Sequence, residues 1–144
     1  MAHQPYSGTI PDDRLYCPRH DMWVQELGSG EVLIGATSFG IFLAGEIIAF
    51  TSKPKGAEVE LGRGMGTVEC RKTVLAVHAP ISFILLEGND AAEERPKLVN
   101  TEPYSGGWMA RARPSRWAEE RLTLVDAAAY RQHILKLEPE ARFA

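Results

Sequence analysis

Gly66-Thr67-Val68-Glu69-Cys70-Arg71-Lys72-Thr73-Val74-Leu75-Ala76-Val77-His78 decides the fold of this chain. Two runs with strand composition, Gly66 to Cys70 and Val74 to His78, flank the polar residues Arg71, Lys72 and Thr73. That pattern reads as a β-hairpin. Period-2 alternation places Cys70 and Lys72 on one side and Arg71 on the other until the turn breaks it. A lysine at such a tip faces solvent and is chemically addressable. Upstream, Gly62-Arg63-Gly64-Met65-Gly66 is a break whose glycines permit tight bends. Downstream, Ala79-Pro80 ends the run.

Outward from the hairpin, Val32 to Gly35 and Glu46 to Thr51 read as short strands, with Lys53-Pro54-Lys55-Gly56 as a turn. Ser38 to Gly45 fits a strand or a helical turn, and periodicity leaves both open. Ile81 to Leu86 is a further strand, Asp90 to Arg95 a short helical turn closed by Pro96, and Gly107 to Ala112 a last strand. Ser115 is placed to cap a helix from Arg116. Asp126 is placed to cap Ala127 to Leu137, whose face of Tyr130, Ile134 and Leu137 recurs at helical spacing and whose Lys136 suits the dipole. Residues 1–15 have no periodicity and read as an irregular arm before a single domain over 16–144. Many short strands with one helical tail indicate a mainly β sandwich or barrel.

The 144 residues are one domain's worth and long enough for a proper core. A net charge of -3 leaves no basic footprint for nucleic acid. No apolar run approaches a membrane span, and the N-terminus lacks a signal pattern, so a cytoplasmic location is the default. Cys17 and Cys70 are too few for a disulfide scaffold, and a single bridge between them is left undecided. Cys17-Pro18-Arg19-His20 has the spacing of half a zinc site, but a closed site needs a second pair that the sequence lacks, so no metal is expected.

Glu69-Cys70-Arg71-Lys72 together with Asn100-Thr101-Glu102-Pro103-Tyr104-Ser105-Gly106-Gly107-Trp108 resembles the H protein of the glycine cleavage system, over about His20 to Leu137. The Asn-x-x-Pro-Tyr-x-x-Gly-Trp signature is specific. The resemblance implies a barrel-sandwich hybrid with a C-terminal helix. It implies a lipoyl carrier that is not itself an enzyme, with lipoic acid in amide linkage on Lys72. Glu69, three residues before that lysine, would be read by the lipoate-attaching enzyme.

The chain departs from the family pattern around the arm. Ala76 stands where H proteins carry an aspartate, His20-Asp21-Met22-Trp23-Val24 carries one residue more than the usual motif, and Arg19 stands where a serine is common. Arg19, His20, Asp21, Cys70, Arg71 and Ala76 are therefore the expected surroundings of the cargo. Losing a carboxylate and adding Arg19 and Arg71 would favour a neutral or anionic cargo. On that ground the sequence favours the H-like lipoate-binding branch of sulfur-oxidising bacteria, with a heterodisulfide-reductase-like complex as partner. Glycine cleavage, with its enzymes as partners, is the alternative. Cys70 would exchange with the dithiolane, its thiol activated by Arg71, or would simply pack in its strand. His78 reads as a packed or surface histidine. Two further classes remain: a non-lipoylated binding protein, and an enzyme acting through Cys70.

Overall fold

The structure is a computed structural model that describes residues 4–144. The chain runs β1 (Ser7–Gly8), β2 (Leu15–Cys17), β3 (Met22–Gly28), β4 (Glu31–Ala36), α1 (Ser38–Ala44), β5 (Ile47–Ser52), β6 (Glu58–Val59), β7 (Gly64–Cys70), β8 (Val74–His78) and β9 (Phe83–Gly88). There follow α2 (Asp90–Glu94), α3 (Lys97–Thr101), β10 (Ala110–Pro114), α4 (Trp117–Glu120), a 3-10 turn at Arg121–Thr123, α5 (Ala127–Leu137) and β11 (Arg142–Phe143). Six strands form one sheet in the order β2-β3-β4-β10-β9-β6, and three form another in the order β5-β7-β8. The mainly β architecture with a C-terminal helix is as expected.

The two sheets share one core. Val24, Val32 and Ile34 from the large sheet meet Phe50, Val68 and Val77 from the small one, with Phe83, Leu85 and Met109. Alternation supplies these contacts: Gly66, Val68 and Cys70 point inward from β7 while Thr67 and Glu69 face out. A second cluster gathers Tyr6, Ile10, Tyr16, Trp23, Phe39, Tyr130 and Ile134, and fastens both chain ends to the body. Trp23 is its centre. The indole N–H is shared between the carbonyls of Ala36 and Pro103, each 3.0 Å away. Gly35 lies beneath the ring, and a Cβ there would stand 2.5 Å from the indole.

The structure decides one reading left open and corrects other expectations. Ser38 to Gly45 is helical: Thr37 Oγ1 accepts from the Gly40 N–H at 3.0 Å and Phe39 anchors the turn in the core. The last large-sheet strand begins at Ala110, because Gly107 and Trp108 belong to the turn after α3, where the Gly107 N–H donates to Glu102 O at 2.8 Å. Ser115 caps nothing. Its N–H pairs with Ser82 O, and α4 starts from an Arg116 without a side-chain cap. Asp126 does cap α5, accepting from the Ala129 N–H at 2.8 Å. Tyr130 and Ile134 are buried as expected, but the third buried residue is Ala127. Leu137 is 59% exposed, since the buried stripe stops short of the last turn. The described part of the segment read as an irregular arm pairs β1 with β11 and buries Tyr6 and Ile10.

Candidate functional site

The β7–β8 hairpin pairs Glu69 with Val74, Val68 with Leu75, Thr67 with Ala76 and Gly66 with Val77. The Cys70 N–H donates to Thr73 O at 2.8 Å, which closes the turn and leaves Arg71 and Lys72 as its tip. Inward-facing Cys70 ends up opposite Ile47, 6% exposed. A thiol held there packs as a small apolar side chain. Arg71 donates to Glu46 at 2.9 Å, which offsets its charge. Lys72 is exposed, and among the described residues nothing pairs with its ammonium. Glu69 is exposed on the outer face, one residue before the turn.

Along Leu75 to His78 of β8, facing the β2–β3 turn, runs a cleft of about 260 Å³. Its floor is apolar: Ile41, Val68, Leu75, Val77 and Met109. Its rim carries Arg19, His20 and Asp21 from the turn, and Ala76 and His78 from β8. The cargo-environment residues are thus brought together, apart from Cys70 and Arg71. A narrow apolar trough with polar groups on one edge suits a slim, mostly hydrocarbon chain with a reactive end.

Asp21 is the carboxylate of that rim. It sits in the left-handed region at φ 55, a conformation Asp tolerates in turns. Its carboxylate accepts from the Tyr130 hydroxyl at 2.8 Å. Because Tyr130 spends its one proton there, the Thr37 hydroxyl, 2.7 Å away, donates to Tyr130 in turn. Burial pushes the Asp21 carboxyl above the usual carboxylate range, with the Tyr130 hydrogen bond and His133 opposing the shift. The charged side chains lining the cleft are thus Arg19 and Asp21. Ala76 lacks a carboxylate, but Asp21 supplies one, and of the two arginines only Arg19 reaches the cleft.

His20 and His78 stack with ring centroids 4.9 Å apart and planes 21° apart. Burial, then His78 and Arg19, hold His20 below its ordinary titration range. His78 Nδ1 lies 2.9 Å from Gly62 O. A carbonyl only accepts, so Nδ1 carries the proton and Nε2 is left as an acceptor. Sequence reasoning missed this pair and the Tyr130 link to Asp21, because the partners are 58 and 109 positions apart. The half zinc site is not completed: no group of three or more ligating side chains gathers among the described residues. Cys17 and Cys70 are both buried and free, and burial pushes the Cys17 thiol up.

The model of the family described as glycine cleavage H-protein matches residues 14–137. The chain belongs to that family. Relatives include a glycine cleavage system H protein of Chlorobium limicola, 38% identical over 133 residues and covering 88% of this chain and 98% of that protein. Another, "Glycine cleavage system H protein 5" of Aquifex aeolicus, is 36% identical over 122 residues and covers 82% of each. A crystal structure of a glycine cleavage system H protein from Mycobacterium marinum superposes with a TM-score of 0.75. It is 31% identical and covers 85% of this chain and 97% of that one. The fold is thus the barrel-sandwich of H proteins. Members of this family are lipoyl carriers rather than catalysts, so the reading as an enzyme acting through Cys70 falls with the burial of that thiol. Among the described residues no helix is long and apolar enough to cross a membrane.

Proposed function

We propose that this chain carries lipoic acid in amide linkage on Lys72 and serves the glycine cleavage enzymes as their H protein. The observation that carries this is the Lys72 ammonium, without a partner among the described residues, at a closed hairpin tip whose strand β8 lines an apolar cleft. When bound, the lipoyl group supplies a disulfide that opens to take a group and recloses. The protein's own part is positional. The hydrogen bond between Cys70 and Thr73 fixes the turn, so a lipoate-attaching enzyme meets the lysine in one geometry, with Glu69 beside it for recognition. The Leu75, Val77 and Met109 floor shelters an arm from water, and Asp21 offers a carboxylate to a cationic cargo amine. Tethering replaces a search through solution by a local concentration of roughly millimolar order.

The sulfur-oxidation reading, with a heterodisulfide-reductase-like complex, rested on Ala76, Arg19 and Arg71. The relatives above carry glycine cleavage in their names, and Asp21 and the Arg71–Glu46 pair weaken the electrostatic ground for an anionic cargo. Glycine cleavage is therefore the better-supported reading. Two buried free thiols accord with a reducing compartment such as the cytoplasm.

Incubation with a lipoate-attaching enzyme, lipoate and ATP, followed by intact mass measurement, tests the attachment. The wild-type chain gains one lipoyl group and Lys72→Arg gains none. Modification persisting in Lys72→Arg would overturn the assignment.

A further inference from the structure

We propose that the stacked His20–His78 pair is a proton-accepting site for the reduced arm, taking the thiol proton onto His78 Nε2. The inference rests on the reading of Lys72 as the lipoyl lysine. Three observations carry it. Both imidazoles line the cleft along Leu75 to His78 of β8, and His78 ends the strand whose other end meets the hairpin tip. An arm laid along β8 from Lys72 runs toward His78. The contact from His78 Nδ1 to Gly62 O fixes the tautomer, so Nε2 presents a lone pair rather than a proton. The two rings stack with centroids 4.9 Å apart, and burial, then His78 and Arg19, hold His20 below its ordinary range.

The groups that face the pair are few. Arg19 and Asp21 share the rim with His20, and Arg63 follows the Gly62 that holds His78. Arg19 opposes protonation of His20. Asp21 is directed to Tyr130, which leaves its charge partly engaged.

The step is a proton transfer alone. The S–H bond of the reduced arm breaks, the electron pair stays on sulfur, and the proton bonds to His78 Nε2. The products are a thiolate and an imidazolium in contact, and no oxidant or reductant is consumed. The ion pair favours the thiolate, the form that attacks disulfides and electrophiles. The pair would thus prime the arm for its next exchange without a partner enzyme supplying the base.

Lipoylated chain, verified by intact mass and then reduced, is alkylated with iodoacetamide across a pH series. Wild type, His78→Gln, His20→Gln and Lys72→Arg are compared. Buried Cys17 and Cys70 leave Lys72→Arg as the slow background. The alkylation midpoint in wild type should lie below that of free dihydrolipoamide. His78→Gln should raise it by about one pH unit, toward the free compound. His20→Gln should leave it at or below the wild-type value, since Nε2 of His78 remains and a neighbouring ring that opposes its charging is gone. Circular dichroism confirms that each variant is folded. A midpoint equal in wild type and His78→Gln, on chains carrying the lipoyl mass, would overturn the proposal. Absence of that mass in wild type would instead defeat the reading of Lys72 on which it rests.

Discussion

The β7–β8 tip and the Trp23–Tyr130 cluster are built on opposite plans. At the tip, Lys72 has no partner among the described residues, and Val74 is 60% exposed and Leu75 40%. In the cluster, Trp23 and Tyr130 are fully buried and their polar atoms are each used, by Ala36, Pro103, Thr37 and Asp21. The tip presents chemistry and contributes little to stability. The cluster holds the fold and, through Tyr130 and Asp21, also sets the rim of the cleft. A carrier can separate the two because its arm needs only a firm base, whereas the wall that receives the arm must be positioned by the core.

The largest effect should come from the cluster. Trp23→Ala removes a buried indole with two hydrogen bonds, and a loss of roughly 3–5 kcal/mol is expected in thermal or denaturant melts. A loss under about 1 kcal/mol would show that the ring is not the keystone. Tyr130→Phe keeps the ring and deletes the hydroxyl between Thr37 and Asp21. Roughly 1–3 kcal/mol should be lost, because a buried carboxylate is left without its donor. Asp21→Asn in the Tyr130→Phe background should cost less than it does alone if the pair is coupled, and additive losses would break the link between cluster and rim.

The pH dependence sharpens the same contrast. Folded His20 takes its proton at lower pH than the unfolded chain, so its contribution is present at neutral pH and lost as pH falls below the ordinary histidine value of 6.5. His20→Gln should flatten that part of the stability profile. Folded Asp21 has the opposite habit. Its raised carboxyl pKa makes the folded state bind the extra proton, so stability is greatest below 3.8 and falls as pH rises through the folded value. At the tip, Lys72→Arg should change stability by no more than about 0.5 kcal/mol at any of these pH values. A clear melt shift in that variant would mean the tip is coupled to the core after all.

The hairpin, the helix Ala127–Leu137 and its Asp126 cap were legible because each is set by neighbours in sequence: alternation, a turn, a cap. The Asn100 to Trp108 signature was legible through family resemblance, and the proposal for Lys72 rests on the same resemblance, since no spacing rule distinguishes it from another exposed lysine. What was not legible is what long-range packing decides. Cys70 is open to a reactive or a packed reading, the packed one favoured, until β5 is laid beside β7. Arg71 reads as a free charge until Glu46 arrives from 25 positions away. Asp21 stands among the expected surroundings of the cargo, but its hydrogen bond from Tyr130 is visible only once α5 packs against the β2–β3 turn. The preference for a sulfur-linked cargo came from counting charges along the chain rather than around the cleft.

The most direct test of the account is turnover. Chain lipoylated on Lys72 is offered to glycine decarboxylase and aminomethyltransferase, and carbon dioxide release is followed. The account expects turnover comparable to that with an ordinary H protein, none with Lys72→Arg, and a reduced rate with Asp21→Asn. Lipoylated, folded protein that supports no turnover would contradict it.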